Sequence, residues 1–141
     1  MASAPTESIF AKIIDGQIPC HRIFENEHLL AFLDINPLSE GHTLVVPKRQ
    51  VERLEHLPPD DAAEIARQLG AIARRILAVT GAPGYNILQN NGRVAGQEVP
   101  HVHFHIIPRR AGDGLGYRWD PKPASPEALT ALAARINVAT A

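Results

Sequence analysis

The sequence predicts an α+β domain built on a mainly antiparallel five-stranded sheet, with a short N-terminal helix, one long helix and a C-terminal helical tail. Three observations predict it. Five short apolar runs are bounded by turn-forming residues, as strands are. Ile65, Leu69, Ile72 and Ile76 recur at steps of four, three and four, the stripe of an amphipathic helix lying between the third and fourth of those runs. In the stretch 101–109, His101 to Ile106 alternate polar and apolar, the two-residue period of a half-buried strand, until Ile107 and Pro108 end it.

The elements follow in order. Residues 1–7 read as a loose terminus. Ser8 is placed to cap a helix through Asp15, stopped by Gly16, with Ile9, Phe10, Ile13 and Ile14 on one apolar face. Residues 21–25 and 29–35 read as a hairpin around Glu25-Asn26-Glu27-His28, and the turn formers 36–41 follow. Thr43–Pro47 is a compact apolar strand. The proline pair Pro58-Pro59, with Asp60 and Asp61 at the positive end of the helix dipole, opens the long helix, which Gly81 and Pro83 close. Residues 85–89 form a fourth strand. A glycine-bearing loop from Asn90 to Pro100 delivers the chain into 101–109, where Pro108 suits a strand exit because it donates no ladder hydrogen bond. Three glycines, Gly112, Gly114 and Gly116, loosen the next stretch, and Pro126–Val138 reads as an Ala-rich helix. No repeat or linker interrupts the chain, so residues 1–141 read as a single domain, with a core over about 8–110 and a C-terminal extension over 111–141.

Composition narrows the function. With 14 Lys and Arg against 15 Asp and Glu, the net charge of −1 argues against a broad nucleic-acid footprint. Lys48-Arg49 and Arg109-Arg110 read as solvated charge flanking strands. Cys20 is the only cysteine, which excludes an intramolecular disulfide and a Cys-rich zinc site. No run approaches the roughly 18–20 apolar residues that span a bilayer, and the start lacks a secretory leader. The expectation is a cytoplasmic protein that binds neither membrane nor nucleic acid.

The chemistry concentrates in His101-Val-His-Phe-His-Ile-Ile. Alternation places His101, His103 and His105 on one face, about 6.5–7 Å apart at ~3.3 Å rise per residue, and Val102, Phe104 and Ile106 on the other. Three readings compete: a solvated strand face, a zinc site completed from elsewhere, and one nucleophilic imidazole oriented by its neighbours. A nucleophile needs a neutral ring whose second nitrogen holds its proton against an acceptor.

Four segments taken together discriminate further: Ser8-Ile-Phe-Ala-Lys-Ile-Ile-Asp-Gly, Ala31-Phe-Leu-Asp-Ile-Asn-Pro, Gly41-His-Thr-Leu-Val-Val-Pro-Lys, and Asn90-Asn-Gly-Arg-Val-Ala-Gly-Gln-Glu-Val-Pro leading into the histidine run. In this order they resemble the histidine triad (HIT) family of nucleotide hydrolases and transferases over roughly 8–109. The resemblance implies the HIT-like fold. It implies that His103 attacks the α-phosphorus of a purine nucleoside 5′-phosphoryl compound, a phosphoramidate or adenylylated substrate, and that water then releases the monophosphate. In the resemblance His101 supplies a carbonyl to His103, and its side chain joins His42 in a network beneath the site. His105 assists the leaving group. Asp34 receives the ribose hydroxyls, and Ile9, Phe10, Ile13 and Phe32 surround the base. Asn90 contacts the phosphate side, and Gly96, Gln97, Glu98 and Val99 offer backbone N–H groups to phosphate oxygens. Glu98 stands where phosphoramidate-cleaving relatives carry a serine. Some relatives bind zinc through Cys-x-x-Cys where this chain has Ser8-Ile9-Phe10-Ala11, so no such metal is expected. No cofactor is required, a purine nucleotide (AMP or GMP) is the ligand or product, and a homodimer is the default partner state. His21, His28 and His56 match no part of that site. The C-terminal segment, with Tyr117 and Trp119, is implied to influence substrate choice. The alternatives are a dinucleoside polyphosphate hydrolase and a nucleotide-binding regulatory protein with vestigial catalysis.

Overall fold

Local chemistry sets the ends of the helices. A computed structural model describes residues 6–116 and 119–139, so most of the loose terminus and Tyr117 lie outside the described residues. Helix α1 spans Ile9–Ile14, and the Ser8 hydroxyl caps it by accepting from the Ala11 amide. Helix α2 spans Pro59–Thr80, with proline in its first turn and Gly81 at its end in the left-handed conformation, φ 71°. Its first-turn Asp61 also accepts from His28 at 2.9 Å and Arg49 at 3.2 Å, so His28 fastens the hairpin turn to α2. Helix α3 spans Pro126–Val138 and is capped by Ser125. It buries no residue, and Leu129, Leu132 and Ile136 are exposed.

The sheet has the order β1-β2-β3-β5-β4 and every pairing is antiparallel. Its strands are β1 Arg22–Glu25, β2 Leu29–Leu33, β3 Thr43–Pro47, β4 Gly84–Gln89 and β5 Phe104–Arg109. The first two are shorter than their apolar runs. Past Leu33, the Asp34 carboxylate accepts from the Asn36 amide and turns the chain. A larger departure is at β5, which begins at Phe104 rather than His101. The segment before it is held from outside the sheet, by the Val102 amide donating to the Val51 carbonyl at 2.8 Å. Nor does Pro108 end the strand. Its carbonyl accepts from Ser39, on the side where β3 has already stopped pairing, so its missing N–H leaves no ladder bond unmade. Two short 3₁₀ turns, Leu54–His56 and Arg93–Ala95, have no clear sequence signal.

Strands β2 and β3 are buried on both faces. Leu29, Ala31, Val45, Val102 and Ile106 pack under α2 against Ile65, Ile72, Ala73 and Ile76. Leu30, Phe32, Leu44 and Val46 pack on the opposite side against Phe10, with Ile13, Ile14, Cys20 and Val99 around them. Gly41 permits the close approach of α2 to the entry of β3. At φ 91° a Cβ there would meet Ile76 and Thr80 side-chain carbons at 2.9 Å. Among the described residues no helix is long and apolar enough to cross a membrane.

Candidate active site

Register carries the histidines to the α1 side of the sheet. His105 pairs with Leu44 while Phe104 pairs with Val45, so His105 faces with Leu44, and Phe104 and Ile106 face α2. The apolar half of the predicted alternation therefore holds. The three imidazoles differ in their access to the cleft. His101 is fully buried and outside the cleft, while His103 and His105 line it with ring centroids 5.0 Å apart.

The hydrogen-bond partners fix where each ring proton sits, because a carbonyl only accepts and an amide N–H only donates. His101 Nε2 lies 2.8 Å from the Pro47 carbonyl, so it carries the proton. Its Nδ1 then accepts from the Ser8 hydroxyl at 2.7 Å. His103 Nδ1 lies 2.7 Å from the His101 carbonyl and carries the proton, which leaves the Nε2 lone pair free. On the other side, His42 Nδ1 accepts from the Leu38 amide at 3.0 Å, so its proton is on Nε2, 2.9 Å from His105 Nδ1. His105 therefore presents Nε2–H. These are two separate networks, not the single one expected beneath the site: His101 is wired to α1 and β3, and His42 to the turn before β3. Among the described residues the two networks meet at the touching rings of His103 and His105.

Burial lowers the pKa of all four imidazoles. For His42 and His103 the nearby Asp34 carboxylate opposes the effect, and for His101 and His103 the carbonyl partners do. For His105 burial is joined by the neighbouring His103 and His42, which together bring it to about 4. The rings are neutral at pH 7, as a nucleophile and a neutral N–H donor require.

The cleft above them encloses about 530 Å³. Ile9, Phe10, Ile13 and Phe32 form an apolar wall, and Asp34 stands at the end of β2. Phe10 meets the His103 ring edge-on at 5.0 Å. Asp34 is both turn former and cleft residue: Oδ1 accepts from the Asn36 amide at 2.8 Å and Oδ2 lies 3.7 Å from His42 Nε2. Asn90, Gly96, Glu98 and Val99 line the remaining wall.

The glycine loop corrects one expectation. The Gly96 and Gln97 amides are occupied by the carbonyls of Arg93 and Gly92 at 3.0 and 3.1 Å. The Gln97 side chain turns inward, accepting from the Gly92 amide and donating to the carbonyls of Glu52 and Val99. Gln97 is thus a buried clamp that shapes the loop, outside the cleft. The amides of Glu98 and Val99 have no hydrogen-bond partner among the described residues.

Asp34, His42 and His105 bring potential metal-donor atoms within 4.8 Å of one another. The set fits poorly. A cation on His42 Nε2 would drive its proton to Nδ1, against the Leu38 amide.

The HIT domain family model matches residues 15–112. The chain belongs to the HIT family. This HIT chain is 44% identical over 130 residues to "Adenosine 5'-monophosphoramidase hnt1" of Schizosaccharomyces pombe, covering 92% of this chain and 95% of that protein. It is 42% identical over 109 residues to "Adenylylsulfatase HINT3" of Arabidopsis thaliana, covering 77% of this chain and 55% of the relative. A crystal structure of a HIT family protein from Bacillus anthracis superposes with TM-score 0.90 at 42% identity, covering 95% and 97% of the two chains.

Two features of the HIT site escaped the sequence. Ser8 read only as a helix cap, yet its hydroxyl also holds His101. The Leu38 amide that fixes His42 is a backbone group with no residue-type signal. His21 and His56 are exposed and His28 is tied to Asp61, all outside the cleft.

Proposed function

We propose that this HIT chain hydrolyses purine nucleoside 5′-phosphoryl compounds, phosphoramidates or adenylylated substrates, through a nucleotidyl-histidine intermediate on His103. The observation that carries this reading is the 2.7 Å contact from His103 Nδ1 to an acceptor-only carbonyl, which leaves a neutral Nε2 lone pair facing the cleft. In the first step the Nε2–P bond forms and the bond to the leaving group breaks, its electron pair departing with that group. His105 Nε2–H hydrogen-bonds the departing atom, and the leaving group takes its proton from solvent. Water then attacks the nucleotidyl-histidine, the N–P bond breaks, and the monophosphate leaves. Asp34 accepts from the ribose hydroxyls, the apolar wall holds the purine, and Asn90 with the Glu98 and Val99 amides contacts the phosphoryl oxygens. The activities named for the fungal and plant relatives support the reaction class.

The test is rapid-quench intact-mass analysis of protein mixed with adenosine 5′-phosphoramidate. A transient adenylyl adduct mapped to His103 is expected, and His103→Ala should lose both adduct and AMP release, by at least about 10⁴-fold for a removed nucleophile. Turnover surviving in His103→Ala would overturn the reading. A homodimer belongs to the same proposal. Among the described residues the outer strand β4 has no strand beyond it and exposes Tyr85 and Ile87, an edge that a second copy would cover. Light scattering at twice the chain mass checks it.

A further inference from the structure

Resting on that proposed function, a feature of the cleft bears on which leaving group it accepts. Among the described residues the cleft lining contains two charged side chains, Asp34 and Glu98, and no Lys or Arg. Its histidines are neutral for the reasons given above. Arg93, on the loop itself, lies outside the lining, and Arg53 is paired with Glu55. Glu98 is exposed and has no ion-pair or hydrogen-bond partner for its carboxylate among the described residues. No positive side chain of the cleft offsets its charge.

Sheet order gives the two carboxylates different jobs. Asp34 and Phe32 lie at the β2 side, His103 and His105 precede and open β5, and Asn90, Gly96 and Glu98 come from the segment joining β4 to β5. With the nucleoside against the apolar wall and phosphorus over His103, the space left for the departing group is bounded by Asn90, Gly96 and Glu98. We infer that Glu98 is a specificity-determining residue: its carboxylate biases the cleft toward neutral or cationic leaving groups, such as amines, and against sulfate or further phosphates. Each added negative group there meets a carboxylate with no counter-cation. A departing amine that gains a proton meets an attractive charge instead. For unit charges about 6 Å apart, effective dielectrics from about 80, that of water, down to about 27 give a bias of roughly three- to thirtyfold, reduced by salt.

The experiment separates this inference from the hydrolase reading by measuring binding first. An adenosine 5′-N-alkylphosphoramidate and ADP are titrated against His103→Ala protein and against the His103→Ala, Glu98→Gln double variant, at low and at high salt. The phosphoramidate is expected to bind more tightly than ADP in the first protein. Glu98→Gln should narrow that gap about three- to thirtyfold, and salt should narrow it in the first protein but little in the second. In the His103-containing protein, Glu98→Gln should raise kcat/KM for adenylyl sulfate relative to the phosphoramidate by a similar factor. A binding gap unchanged by Glu98→Gln, in a double variant that melts as its parent does, overturns the inference. Absence of turnover on both substrates with the binding pattern intact counts against the hydrolase reading and supports the charge bias.

Discussion

Ser8 performs three bonds with one residue. Its oxygen accepts from the Ala11 amide, its hydroxyl proton goes to His101 Nδ1, and its backbone N–H donates to Gln50 Oε1 at 3.0 Å. The apolar wall of the cleft and the ring behind His103 therefore share one hydroxyl. Ser8→Ala removes a helix cap, about 1 kcal/mol, and leaves a buried imidazole nitrogen without its donor, about 1–3 kcal/mol. Denaturant titration should read a combined loss of roughly 2–4 kcal/mol. Because His101 passes its position on through its carbonyl, kcat should fall about tenfold, equivalent to ~1.4 kcal/mol, with KM less affected. Ser8→Thr keeps cap and donor and should restore both. A stability loss with unchanged kcat would reduce Ser8 to a cap. At this scale the sequence shows residue types but not partners. That His103 and His105 share one side of the chain was legible, because two-residue spacing sets it. The burial of His101 depends on Ser8, 93 positions away, and on Pro47, 54 away, which no local pattern encodes.

Elements divide along the same line between local and distant causes. Thr43–Pro47 and Pro126–Val138 fall where the sequence places them, because turn formers or a Ser-Pro start bound them locally. The stripe of α2 likewise buries Ile65, Ile72 and Ile76 as its spacing requires. The start of β5 does not follow its alternation. Extended backbone alternates whether or not it has a strand beside it, and the partner of Val102 is Val51, outside the sheet. The segment after β4 was legible as a glycine-bearing loop, while its internal wiring was not. Gly92, φ 93°, and Gly96, φ 97°, admit a tight 3₁₀ turn that consumes two of the amides expected to face the ligand. The glutamine at position 97 carries no local signal of burial, and only the closed turn makes it a buried clamp.

On the scale of the whole molecule, burying four neutral imidazoles ties folding to pH. Their folded pKa values lie below the unfolded value of about 6.5. Between the two the unfolded chain binds more protons, so stability falls as pH drops. The contribution is fully present above about pH 6.5 and is lost progressively toward pH 4, the value to which His105 is lowered. Thermal melts from pH 8 to pH 4 should show Tm declining once pH passes below about 6.5. His42→Gln with its carboxamide oxygen toward Leu38 should flatten part of that decline, and an equally steep decline in that variant would assign it to other groups.

The sheet that carries this chemistry is a single backbone thick between two packed interiors. Leu44 and Val45 are chain neighbours, yet one belongs beside the imidazoles and the other beneath α2. The same holds for His105 and Ile106. A void opened under Ile106 would tilt the floor on which the ring of His105 stands, although it lies on the far side from any bound nucleotide. Slow variants of this protein should therefore be sought as often among residues hidden behind the reaction chamber as among those that line it.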